Sequence, residues 1–262
     1  MPIRLWHQST TELRRDAPYS RALVRRAQHL FGDEVVVDTF GLPAGSYHGR
    51  SVSGANGNAF VYHRILDCVI DQAIEAERQG YDGFVIGSYS EPFLKEIRAA
   101  VDLPVTSILE TTLLVGCSLG TKLAFITTSP NVVGMINKAV ASHHMEARVA
   151  EVVSLDPPLE GPVLHGLFQD PQPLAESFER AAVRVLANGA DVIIPAEGII
   201  AIILTEGGMV RFHDAPVMDV FGVTWSYAVM LANLRTKAGI GVTRRGWYAR
   251  PDIELIQLLA KR

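Results

Sequence analysis

Apolar positions along this chain fall into two periods that take turns. Short runs rich in β-branched residues, Ile3 to His7, Glu34 to Thr39, Gly83 to Gly87, Val105 to Ile108, Lys122 to Thr127, Arg148 to Ser154, Val192 to Pro195 and Val217 to Val220, read as strands. Between them the apolar residues recur every three to four positions, which predicts helices near 11–31, 58–80, 91–101, 109–118, 130–144, 172–188, 199–206 and 222–237. Strands that alternate with helices in this way imply an α/β fold with parallel sheets.

The pattern also repeats itself. "QGYDGFVIGSYSEPFLKEIRAAVDLPVTSI", Gln79 to Ile108, parallels "NGADVIIPAEGIIAIILTEGGMVRFHDAPVMDV", Asn188 to Val220. Each copy has x-Gly-x-Asp, an apolar strand, a polar loop, a helix, and then Pro-Val opening the next strand. Asp82 and Asp191 lie 109 positions apart and Pro104 and Pro216 lie 112 apart, so the second copy carries three extra residues. Internal repetition fixes architecture. It predicts two αβα lobes related by a pseudo-twofold axis, each with a mainly parallel four-stranded sheet and with a cleft between them. The boundaries fall at residues 1–106 plus 221–262 for one lobe and 107–220 for the other. Open parallel sheets bind ligands beyond the carboxyl ends of their strands, so both post-strand loops should face that cleft. The offset pairs Ser88, followed by Tyr89, with Glu197, followed by Gly198.

One segment, residues 41–60, breaks the alternation. Dense in Gly, Ser and Asn and holding His48, it reads either as a binding loop over the cleft or as a surface excursion.

Composition narrows the class without naming a ligand. At 262 residues, 48% apolar and 20% charged, the chain has an ordinary globular balance. The formal charge of −4 gives no electrostatic reason to expect nucleic acid or an anionic membrane as a partner. Arg14, Arg15, Arg21, Arg25 and Arg26 are helically spaced and read as a solvated helix face. The first ten residues lack the apolar core of a signal peptide, and no apolar run reaches the roughly 18 residues a spanning helix needs, so a cytoplasmic protein is expected. Cys68 and Cys117 lie in apolar helical patterns and are expected as free thiols.

Several attractive patterns fail on context. "GCSLG", Gly116 to Gly120, fits G-x-S-x-G but ends a helix and precedes a strand, the reverse of a nucleophile elbow. Adjacent His143 and His144 lack the i, i+4 spacing of helix-borne metal ligands, and no metal is expected. The Gly-rich segment 41–60 lacks the Lys-Ser/Thr of a phosphate-binding loop.

Taken in order, "IRLWHQST", "DGFVIGSYSEPFLKEIRAAVDLPV", "ILETTLLVG", "LAFITTSP", "GADVIIPAEG", "APVMDV" and "VTRRGWYARP" resemble the aspartate/glutamate/hydantoin racemase superfamily, its hydantoin racemase branch most closely. The likeness covers most of the chain and rests on order and spacing rather than on any one motif. It implies two α/β lobes, a small-molecule substrate, no cofactor and a homo-oligomer. It also implies a cysteine six residues past the Asp of each repeat, one thiolate taking an α-proton and the opposite thiol returning one. Here those positions hold Ser88 and Glu197.

This departure changes the chemistry expected. A serine hydroxyl is far too weak an acid to serve as an unassisted base. A carboxylate is a competent one if desolvation lifts it from its ordinary value of about 4.3. The pair therefore suggests one-sided chemistry, with Glu197 as general base and Ser88 as hydrogen-bond donor, ending in isomerisation or decarboxylation of a small carboxylate, hydantoin or cyclic imide. Hydrolysis of an amide or imide by a Glu197-activated water is an alternative, and a carboxylate-binding protein without turnover is another. Glu197 also reads as a helix N-terminal acid and Ser88 as a loop hydroxyl satisfying backbone groups. Further candidate substrate-binding groups are His7, Gln8 and Ser9 after the first strand, Thr127, Thr128 and Ser129 after the first strand of the second lobe, and Tyr89, Gly198 and His48. Arg244, matching a cationic position near the family's C-terminus, is the candidate for a bidentate carboxylate contact.

Overall fold

The computed structural model describes residues 1–14, 17–50, 52–159 and 162–259. The first lobe is built on a parallel sheet of β1 (Ile3–Ser9), β2 (Val35–Phe40), β3 (Gly83–Gly87) and β4 (Val105–Ser107), in the order β2-β1-β3-β4. Its connections are α1 (Pro18–Phe31), α2 (Val52–Asn56), α3 (Ala59–Leu66), α4 (Cys68–Arg78) and α5 (Leu94–Ala100). After α6 (Ile108–Leu119) the second lobe carries β5 (Leu123–Thr127), α7 (Pro130–Ser142), β6 (Val149–Ser154), α8 (Pro162–Gly166), α9 (Gln172–Ala187), β7 (Val192–Pro195) and α10 (Gly198–Glu206), with sheet order β6-β5-β7. A small antiparallel pair, β8 (Arg211–Phe212) and β9 (Ala215–Pro216), leads into α11 (Val220–Ala238), which packs back on β3, β1 and α6, and a last helix, α12 (Ile253–Leu259), follows.

The repeated x-Gly-x-Asp has a physical cause in both lobes. Gly80 and Gly189 adopt left-handed φ values of 73° and 89°, which end the preceding helix, and the next amide closes the same cap each time, Tyr81 N to Ala76 O and Ala190 N to Val185 O, both 3.1 Å. Asp82 then accepts the Arg4 amide at 2.8 Å, and Asp191 accepts those of Thr121 and Lys122. Each carboxylate thus pins the entry of its strand to the neighbouring one.

Three expectations are corrected. The second sheet has three strands rather than four. Val217 makes a single parallel bridge to Ile193 and the chain turns at once into α11, whose first turn is capped by Asp219. Proline at 216 lacks the N–H a ladder needs, and it belongs instead to the β8–β9 pair. The predicted helix 11–31 begins only at Pro18, because the residue before a proline is held extended, as Ala17 is at φ −68°, ψ 145°. The predicted helix 58–80 is two segments meeting at Asp67. Of the basic run, Arg25 pairs with Glu206 and Arg26 with Asp219 at 2.7 Å, Arg14 sits in a loop, and Arg15 lies outside the described residues.

One apolar core joins the lobes. Leu5 and Val85 of the first sheet share it with Phe125, Ile126, Ile193 and Ile194 of the second and with Phe221 and Trp225 of α11. The strand alternation sends Trp6, Phe84 and Ile86 to a separate core under α4 and α5. No helix among the described residues is long and apolar enough to cross a membrane.

Candidate active site

The carboxyl ends of β1, β3, β5 and β7 open onto one cavity of about 750 Å³. Ser88 and Glu197, the two positions paired by the repeat, both line it. So do Ser9, Tyr89, Thr128 and Gly198. Ile108, Val132, Met135, Leu159, Leu164 and Ile199 supply apolar walls, and Arg14 and Arg50 supply positive charge.

Glu197 is the N-cap of α10, so its bland structural role is real. Its Oε2 accepts from Ile199 N at 2.8 Å and from Ile200 N at 3.0 Å. Oε1 has no hydrogen-bond partner among the described residues. Burial pushes the carboxyl above its ordinary value, with the Ile200, Ile199 and Gly198 amides pulling the other way. One oxygen therefore fixes the helix and the other is left to the cavity, on a carboxyl raised toward neutrality.

The loop bearing Glu197 is held from both lobes. Thr127 donates its hydroxyl to Ala196 O at 2.9 Å, and the Tyr89 hydroxyl crosses from the first lobe to Pro195 O at 3.0 Å. Ser88 Oγ shares a hydrogen bond with Ser90 Oγ at 2.9 Å and accepts the Ser90 amide at 3.3 Å. When Ser90 donates to it, the Ser88 proton is left for the cavity.

Six predicted binding residues lie outside the cavity lining. His7 is fully buried, its Nδ1 accepting Trp225 Nε1–H at 3.3 Å, and burial lowers its pKa to about 4, so it is a neutral core residue rather than a second acid or base. Gln8, also fully buried, accepts Trp6 Nε1–H at 3.0 Å and donates to Ser9 O. Thr127 positions the Glu197 loop, and Ser129 is buried at the start of α7, neither lining the cavity. His48 is exposed at a left-handed φ of 50°, outside the lining. Arg244 is committed to Asp102, to Arg98 O at 2.9 Å and to Val101 O at 2.5 Å, where it caps the end of α5. That contact set leaves no fork for a substrate carboxylate.

Sequence reasoning missed the wall formed by Thr10, Thr11, Glu12, Leu13 and Arg14, whereas the binding-loop alternative for 41–60 agrees with the lining. Glu12 accepts the Gly45 and Tyr47 amides, both at 2.9 Å, and the Tyr47 hydroxyl donates to Thr10 O at 2.6 Å. These bonds staple the irregular segment to the loop after β1, bringing Tyr47, Gly49, Arg50, Val52 and Gly57 onto the cavity. Tyr19 of α1 reaches it as well.

Two α/β lobes with one cavity at the carboxyl ends of their strands define a class of small-molecule-binding fold. Residues 17–196 match the model of the Asp/Glu/Hydantoin racemase family. The chain belongs to that family. It is 28% identical over 187 residues to a hydantoin racemase of Rhizobium meliloti, covering 69% of this chain and 70% of that one. In fold it is similar to the allantoin racemase from Klebsiella pneumoniae, with a TM-score of 0.76 at 18% identity over 95% of this chain and 94% of that one. It is also similar to unliganded arylmalonate decarboxylase, with a TM-score of 0.55 at 17% identity over 88% and 92%.

Proposed function

We propose that this chain catalyses cofactor-independent proton abstraction from a carbon next to a carbonyl, in a small carboxylate, hydantoin or cyclic imide. Glu197 is the base and Ser88 a hydrogen-bond donor to the substrate. The observation that carries this reading is the division of labour within one carboxylate: Oε2 caps α10 while Oε1 has no hydrogen-bond partner among the described residues. As Oε1 takes the proton, the C–H electron pair moves onto the carbonyl oxygen, which the Ser88 hydroxyl meets. A desolvated carboxyl with a raised pKa suits both removal and return of a proton.

The chemistry is one-sided. Serine at 88 provides no second base, so the symmetric exchange between two thiols has no counterpart here. Return of that proton to the same face only exchanges it; isomerisation follows when Glu197 delivers it to the other face of a re-oriented enolate or to a second carbon, and where the enolate forms by loss of carbon dioxide Glu197 starts protonated and supplies the proton. The names of the relatives, hydantoin racemase, allantoin racemase and arylmalonate decarboxylase, support a substrate with an acidic carbon next to a carbonyl.

The test is deuterium uptake. A panel of hydantoins, cyclic imides and arylmalonates is incubated in D2O with the native chain and with Glu197→Gln. Exchange that drops at least about 100-fold in the variant supports the reading, as loss of a general base does. Equal exchange in both overturns it.

A further inference from the structure

Three tyrosines line the cavity, and two of their hydroxyls are already spent on the fold: Tyr47 donates to Thr10 O and Tyr89 to Pro195 O. The third differs. Tyr19 is 5% exposed, lies one residue inside the start of α1, and its hydroxyl has no hydrogen-bond partner among the described residues. Its ring leans on Phe221, centroids 6.3 Å apart, which aims it across the cleft at the loop carrying Glu197. There it comes so close to Gly198 that a Cβ on that residue would stand 2.4 Å from the Tyr19 oxygen. The ring is buried while the residue lines the cavity, so its hydroxyl is placed to donate to whatever occupies that space.

We propose that Tyr19 is a further catalytic residue of this site, donating its phenolic O–H to the oxyanion that develops as Glu197 removes the carbon-bound proton, with Gly198 kept as glycine by the approach of that hydroxyl. The proposal rests on Glu197 acting as the base. The electron pair of the broken C–H bond becomes a lone pair on the substrate oxygen, the proton resides on Glu197, and Tyr19 keeps its own proton throughout. Burial and the neighbouring Glu197 charge push the phenol well above its ordinary value, so it is present as a donor at any ordinary pH. In a buried site little water competes for the oxyanion, so a donor already in place there gains strength as charge develops.

The experiment compares the native chain with Tyr19→Phe, Gly198→Ala and the double variant. Deuterium exchange on the same panel reads activity, and equilibrium binding of barbiturate anion, a planar delocalised enolate, reads the oxyanion contact without turnover. Tyr19→Phe is expected to lose about 100-fold in kcat with KM within about twofold, since the bond is made in the transition state, and to bind barbiturate about tenfold more weakly. Gly198→Ala is expected to imitate it and to lower the melting temperature. Adding Tyr19→Phe should restore that temperature, because the removed hydroxyl makes room for the methyl group.

Exchange that depends on Glu197 but is within about threefold of native in Tyr19→Phe, with barbiturate bound equally, overturns the Tyr19 proposal alone. Exchange unchanged in Glu197→Gln overturns the underlying reading. If no panel member exchanges, barbiturate binding decides: weaker binding by Tyr19→Phe supports the donor, and equal or undetectable binding overturns it.

Discussion

The hydroxyl of Tyr89 donates to the carbonyl of Pro195, 3.0 Å away, and so ties the loop after β3 to the last residue of β7. Ser88 and Ala196 flank the two ends of this bond, so it links the two candidate catalytic loops directly. Removing the hydroxyl leaves a buried carbonyl unpaired and frees the loops to drift. Tyr89→Phe is expected to cost about 1 kcal/mol of stability, or a melting-temperature loss of about 2–4 °C for a chain of this size. Misalignment should also lower kcat/KM for exchange by about tenfold. Thermal unfolding and exchange rates on one preparation test both, and a stability loss without any change in exchange would place the bond outside catalysis.

Glu197 should be a liability to the fold in proportion to its use. Its carboxyl is raised by burial, so the folded chain holds the proton more tightly than the unfolded one. The sign follows directly. Below the ordinary carboxylate value of about 4.3 both states are protonated and nothing is lost. As pH rises past that value the unfolded state ionises first, and stability falls until the folded carboxyl ionises as well. Glu197→Gln keeps an oxygen for the Ile199 and Ile200 amides but has no charge to desolvate. It should unfold at a higher temperature than the native chain at neutral pH and at nearly the same temperature near pH 4. A gap independent of pH would mean that the carboxylate is solvated.

Why some of this could be read in the sequence and some could not has local causes. The x-Gly-x-Asp repeat was legible because a helix that must stop and a strand that must start impose the same cap and the same staple twice, at Gly80 with Asp82 and at Gly189 with Asp191. Counting from them placed Ser88 and Glu197 on one cavity. His7 and Gln8 were misleading because polarity in a sequence does not tell a cavity wall from a buried core position. Their partners, Trp225 and Trp6, are fixed only by packing. Pro18 was the available sign that α1 starts late and that Arg14 belongs to a loop. Nothing local could have paired Glu12 with the amides of Gly45 and Tyr47, a contact between loops more than thirty residues apart.

His7 should leave its mark on acid unfolding. Buried with its Nδ1 engaged by Trp225, it is neutral in the fold, with a pKa lowered to about 4 by burial, against about 6.5 when unfolded. For a depressed histidine the stability is fully present above the unfolded value and is lost as pH falls from about 6.5 toward 4, because only the unfolded state takes up the proton. The loss is of the order of 3 kcal/mol across that window. His7→Asn offers Trp225 an amide oxygen in place of Nδ1 and has no titration in this range. Denaturant unfolding at several pH values should therefore show a flatter dependence between pH 6.5 and 4 in the variant, even if its absolute stability is lower. Parallel curves would mean that His7 is already charged in the fold.

Arg244 separates a structural cation from a substrate-binding one. Its guanidinium reaches Asp102, Arg98 O and Val101 O, so it closes the end of α5 and balances a carboxylate that Arg250 also pairs with. Truncation would leave those carbonyls without their donor and remove half of the charge compensation at Asp102. Arg244→Ala is expected to lose about 1–3 kcal/mol of stability, in the range for hydrogen bonds to charged groups. Because the side chain lies outside the cavity, KM for any exchanging carboxylate should stay within about twofold of native. Arg50→Ala is the matching control: this exposed side chain lines the cavity, so its removal should raise KM for an anionic substrate and leave the melting temperature nearly unchanged. A reversal of the two outcomes, with KM rising in Arg244→Ala and stability falling in Arg50→Ala, would return the carboxylate contact to Arg244.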